Sequence, residues 1–184
     1  MLRVLFIALM VFSSYAQAET KLSVMGSVNY NSPELEDIDN ADEKSDMGWG
    51  VGLRALMGIG DQLHFRSGAG IVHKRFSYEV GSTDFDLSFT YLNIPLTLYW
   101  KASPQVGFFG GTSLNAKMGD DCDASGNTSC DVEDEAAVVM PAIIGFDFSF
   151  TERVGMEVSY EYGFTETAKN INVHSAVASF LIHI

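Results

Sequence analysis

Cys122 and Cys130 are the chain's only two cysteines, eight positions apart. A thiolate metal site would need further soft ligands nearby, and the neighbours here are hard carboxylates. In an exported chain the pair is expected as a disulfide closing a loop tip. The carboxylates form two groups. Glu34, Glu36, Asp37, Asp39, Asp42, Glu43 and Asp46 stand against Lys44 in residues 32–46, a net of −6, and Asp120, Asp121, Asp123, Asp131, Glu133, Asp134 and Glu135 give −7 in residues 119–135. These two stretches account for the whole formal charge of −13. Carboxylates are hard ligands suited to calcium. Asp121, Asp123, Ser125 and Gly126 fit the first, third, fifth and sixth places of a calcium loop, although Val132 stands where the twelfth place requires Glu. Asp121 and Asp123 are therefore the candidate metal ligands, and no other cofactor is expected.

A different set of charges lies isolated within apolar stretches. Arg54, His64, Arg66, Asp147, Glu157 and Glu161 each occupy the polar phase of an alternating segment. Ionisable groups at membrane depth are costly and often functional, so a proton relay is one reading. The other is a structural plug in which the charges satisfy one another. For hydrolysis, His174 and Ser175 alternate to opposite faces, and His73 near Ser77 lacks a third partner. The acidity disfavours nucleic acid, and no phosphate-cradling glycine loop precedes a helix.

The elements that must position these residues begin after an export signal. Residues 1–18 carry Arg3, an apolar run from Val4 to Phe12 and the small-residue ending Ala16, Gln17, Ala18. That is the layout of a signal peptide, and the run is too short to cross a bilayer, which takes about 20 residues. No cysteine follows the cleavage point, so the layout is not that of a lipoprotein. Residues 19–184 are then one domain.

Within that domain the period is two. Val154, Met156, Val158, Tyr160, Tyr162 and Phe164 alternate with Gly155, Glu157, Ser159, Glu161 and Gly163. Trp49, Val51, Leu53, Ala55, Met57 and Ile59 alternate with a mostly glycine phase. A soluble sandwich would leave that glycine face as bare backbone in water, whereas a narrow barrel needs small residues inside to admit a few large ones. Segments of about ten alternating residues separated by turns are the mark of a transmembrane barrel. The predicted strands are 20–31, 47–59, 62–78, 86–100, 105–118, 136–150, 153–165 and 173–184. The fold expected is all-β, an eight-stranded antiparallel up-and-down transmembrane β-barrel. Short turns near Gly60, Ser103 and Thr151 alternate with longer, acidic external loops. Pro95 and Pro141 fall inside predicted strands and call for a bulge or a break there.

Tyr91, Leu92, Asn93, Ile94, Pro95, Leu96, Thr97 and Leu98 resemble the YLxIPLxL signature of the PorT-like outer-membrane β-barrel family, and Tyr160 to Thr165, YEYGFT, resembles its penultimate strand. The resemblance implies a fold and the outer membrane of a Gram-negative bacterium, but no reaction. A C-terminal strand ending on an apolar residue, here Ile184, is the feature that barrel-assembly machinery reads in such proteins.

Register then makes a specific expectation. Folding strands two and three about Gly60 and Asp61 brings Arg54 and Arg66 to similar heights. Folding six and seven about Thr151 and Glu152 does the same for Asp147 and Glu157, with Glu161 above. Strands two and three lie opposite six and seven, so Arg54, Arg66, Asp147, Glu157 and Glu161 are expected as one ionic network. The function expected is non-enzymatic: outer-membrane structure and surface interaction through the acidic loops. A small pore is the alternative, and an outer-leaflet lipid-modifying enzyme a third reading. The partners expected are outer-membrane lipid and lipopolysaccharide, the assembly machinery and an extracellular protein.

Overall fold

A strand that is apolar on every second residue can bury its backbone polar groups only against other strands, and in lipid the ladder must close on itself. The computed structural model describes residues 20–35, 41–81, 83–125, 136–168 and 171–184; residues 1–18, expected as a signal peptide, lie outside them. The strands are β1 (Thr20–Leu35), β2 (Ala41–Gly58), β3 (Leu63–Val80), β4 (Thr83–Lys101), β5 (Val106–Ala124), β6 (Val138–Val139), β7 (Ala142–Ser149), β8 (Val154–Tyr162) and β9 (Ile171–His183). Sequential neighbours pair antiparallel, apart from β6 and β7, and β9 returns to β1 with Val28 opposite Ala178, which closes the ring.

The eight predicted strands correspond to eight staves, one of them broken. β6 and β7 both pair with β5 and are separated at Met140 and Pro141. Pro95 is accommodated differently. β4 runs through it, but its pairing with β3 lapses between Arg66↔Thr97 and Gly70↔Asn93 without a change of register. In both places the missing N–H donor of proline explains the gap.

A second correction concerns the acidic loops. Residues 32–35, 41–46 and 119–124, expected as loop, are strand, so β2 to β5 run 18 or 19 residues while β7 and β8 have 8 and 9. The remaining parts of those stretches, 36–40 and 126–135, lie outside the described residues. With the short turns at the periplasmic end, the upper halves of β2 to β5 form a four-stranded sheet standing above the rest of the wall.

Lipid-facing side chains are exposed and large: Val51, Leu53, Ile144 and Phe180 are each about half exposed or more. Such a surface would be untenable in water. Aromatics bound it above at Tyr30, Trp49, Tyr160 and Tyr162, and below at Trp100, Phe108, Phe148 and Phe150. The inner phase is small where strands crowd. A Cβ on Gly68 would stand 2.2 Å from the Leu53 carbonyl oxygen, which belongs to the backbone and cannot swing aside.

Candidate functional site

The inner phase of the strands assembles a column of polar groups through the lumen. Arg66 on β3 reaches across to Glu157 on β8, with Nε donating to Oε1 at 3.1 Å and a second terminal N–H donating to Oε2. This is the bidentate fork that guanidinium makes with carboxylate. Arg66 also donates to Thr97 Oγ1 and lies 3.8 Å over the Phe109 ring. Arg54 stands 3.5 Å from Glu157 Oε2 and points another N–H at Met25 Sδ.

Of the five residues expected to form one network, the structure brings together Arg54, Arg66 and Glu157. Asp147 lies opposite Glu157 in the β7–β8 ladder but accepts from the Tyr99 hydroxyl at 2.9 Å. Glu161 is taken by Lys74, whose Nζ donates to it at 2.6 Å and to Ser175 at 3.0 Å. Lys74 was not in the sequence-derived set. It shares the inward phase of Arg66 on β3, so extending the alternation eight residues would have found it. From Ser175 the bonds continue to Asn31 and on to Asn29. His64 turns its ring edge-on to Tyr99.

Above this column the lumen changes character. Phe76, Leu87, Phe89, Tyr91, Val139, Ala168, Ile171 and Val173 form a buried apolar cluster, with Cys122 packed against it. The segment after β8 bends inward to supply Ala168 and Thr167, and Thr167 N–H donates to the Ile171 carbonyl. Two small voids lie among the described residues, about 30 Å³ beside Arg54 and Glu157 and about 10 Å³ under the apolar cluster. Each has room for a water or two, and Lys74 lines both.

On the outer face of the upper sheet the register places like charges side by side. Asp86 pairs with Asp123, Ser88 with Asp121, Glu79 with Asp84 and with Asp42. Lys44 bridges Glu79 at 2.9 Å and Asp84 at 2.5 Å. The hydrogen bonds it donates to Asp84 and then to Glu79 hold its ammonium above the usual lysine range. Arg75 pairs with Asp46. Of the candidate calcium loop, Asp121 and Asp123 belong to strand β5, and Gly126 and Val132 lie outside the described residues; no group of three candidate ligands gathers among those described. Cys122 faces inward opposite Leu87 and is not a free thiol; Cys130 lies outside the described residues.

The two histidines near the external rim both face outward. His73 stacks on Trp49 and is hydrogen-bonded to Thr90. His174 Nε2 donates to Glu34 Oε2 at 2.8 Å, and its ring lies against Tyr160 and Tyr162. Ser77 donates instead to Asp86, and Ser175 is buried in the lumen.

A closed antiparallel ring with a lipid-facing apolar belt, aromatic girdles and a polar lumen defines a small outer-membrane β-barrel. The chain belongs to the outer membrane protein beta-barrel domain family, whose model matches residues 4–182, and its place is the outer membrane. No curated protein matches it. Among solved structures it is similar to Ail, the attachment invasion locus protein of Yersinia pestis, in complex with the heparin analogue sucrose octasulfate. That likeness has 11% identity, a TM-score of 0.53, and covers 90% of this chain and 99% of Ail. It is also similar to Neisserial surface protein A, with 14% identity, a TM-score of 0.54, and coverage of 89% and 98%. At these identities the likeness speaks for the fold.

Proposed function

We propose that this barrel is a non-enzymatic surface protein that contributes to outer-membrane structure and engages an extracellular protein through the sheet formed by the upper halves of β2 to β5. The observation that carries the reading is the contrast between the two ends of the wall. The upper sheet presents Asp42, Asp84, Asp86, Asp121 and Asp123 outward on a hydrogen-bonded scaffold, while the lumen beneath is filled by a bidentate ion pair and an apolar cluster. A face of that charge favours a cationic protein segment and repels a sulfated polyanion of the kind that accompanies Ail. The Cys122–Cys130 disulfide, the PorT-like kinship of Tyr91 to Leu98, lipopolysaccharide contact and recognition of the Ile184 end by assembly machinery belong to the same proposal.

The test has two arms. Refolded barrel in planar bilayers is expected to give no stepwise conductance; steps would replace this reading with a pore. Cells displaying the barrel are expected to bind immobilised polyarginine and not heparin, and to lose that binding when Asp42, Asp86, Asp121 and Asp123 become Asn at equal surface level. Equal binding by that variant would overturn the role of the sheet.

A further inference from the structure

Three cations and two carboxylates line the void beside Glu157: Arg54, Arg66 and Lys74 against Glu157 and Glu161. The pairing among them is unequal. Both oxygens of Glu157 accept from the Arg66 fork, and Glu161 is held by Lys74. Arg54 is left to share Glu157 at 3.5 Å, although its side chain is only 11% exposed. One of its N–H groups ends on the Met25 thioether, a weak acceptor, and its Nε has no hydrogen-bond partner among the described residues. Asp147 gives no relief, because it accepts from Tyr99 and does not line the void. Among the described residues that border the void, Arg54 is thus the cation without a carboxylate of its own, and a buried charge is costly unless it is both paired and hydrogen-bonded.

The rest of the polar lining offers donors. Ser27 and Ser179 stand opposite each other in the β1–β9 ladder, and Ser179 stands opposite Glu157 in the β8–β9 ladder. Both border the void, as does Ser159. A serine hydroxyl turns to suit its partner and donates readily to an anion.

We propose that this void binds a single chloride ion, with the Arg54 guanidinium as its counter-charge and the serine hydroxyls as further donors. A volume of about 30 Å³ admits a water or two, so a monatomic halide fits where phosphate, sulfate and organic acids do not. A water in the same place takes a hydrogen bond but leaves the charge uncompensated. The two carboxylates do not repel the ion strongly, since each is already turned onto a cation. Chloride gives Arg54 its own anion and ties β2 to β1 and β9, so it stabilises the closed wall and opens no path through it. The site lies inside the lumen and is independent of what the upper sheet binds.

Barrel refolded with sodium bromide as the only halide, then crystallised, tests this by anomalous diffraction at the bromine edge. One bromide peak is expected inside the void, beside the Arg54 guanidinium. Bromide confined to the outer surface, or water alone in the void, overturns the proposal without any variant. Urea unfolding in detergent micelles, with chloride titrated against gluconate at constant ionic strength, gives a second reading. The unfolding equilibrium constant is expected to fall about tenfold by the point where chloride reaches about ten times its Kd. Arg54→Met is expected to abolish that dependence, and Arg75→Met, which removes a cation from the outer face, to keep it. Equal stability of the wild type in chloride and gluconate, or a chloride effect that survives Arg54→Met, would equally sink the site.

Discussion

Arg66 and Glu157 lie 91 residues apart in sequence and meet across the lumen in a two-point ion pair, with Arg54 as a second, looser claimant on the same carboxylate. Glu157 is therefore the hub of the lumen charges.

Removing the hub leaves two guanidiniums short of their anion. Glu157→Ala is expected to cost roughly 3–5 kcal/mol, the usual consequence of stranding a buried charge. In a background already carrying Arg54→Met and Arg66→Met the same change costs much less. Urea unfolding in detergent micelles measures the cycle, and the coupling to Arg66 should exceed that to Arg54. Additive effects would contradict the pairing.

Lys74 and Glu161 make a second, separate test. Lys74→Met alone strands Glu161 and is expected to cost about 3–5 kcal/mol. Adding Glu161→Leu should recover most of it, because an apolar pair of similar volume replaces a buried ion pair at little cost. A double variant no more stable than the single one would mean that Glu161 finds another partner.

An inner and an outer glycine together give a steric prediction. Gly68→Ala drives a Cβ into the backbone of β2 and is expected to cost about 1–3 kcal/mol, as overpacking does. Gly26→Ala, which meets nothing within 4 Å, is expected to be neutral or slightly stabilising. Matched denaturation midpoints for the two would show that the β2–β3 ladder relaxes.

For the cysteines, peptide mapping without reductant is expected to recover Cys122 and Cys130 in one linked species that separates on reduction. Two alkylated free thiols in the native protein would exclude the bridge.

The lipid-facing alternation from Val154 to Phe164 was legible because lipid demands a large apolar group on every outward position. Above the membrane that demand ends. Asp42 and Lys44, or Asp121 and Asp123, point outward into water, so β2 and β5 read there as charged loop although their ladders continue. Lys74 was hidden between His73 and Arg75, a run with no visible phase until the alternation is carried up from Arg66. The Glu34–His174 couple joins positions 140 apart, and only the β1–β9 register places them together. The apolar cluster in the upper lumen inverts the usual polarity of a barrel interior, which alternation alone does not foresee.

The seam between β1 and β9 has a consequence for the order of events in the cell. The ring closes through β1 and β9, with Ile184 N–H donating to the Leu22 carbonyl, so the wall is complete only when the two strands farthest apart in sequence meet. Until then every partial sheet carries two bare edges that invite pairing with other chains. Closure across nearly the full chain length also makes folding slow. A nascent or truncated chain ending before Ile171 would have no seam to form, and would depend on a holding factor in the periplasm or be degraded there.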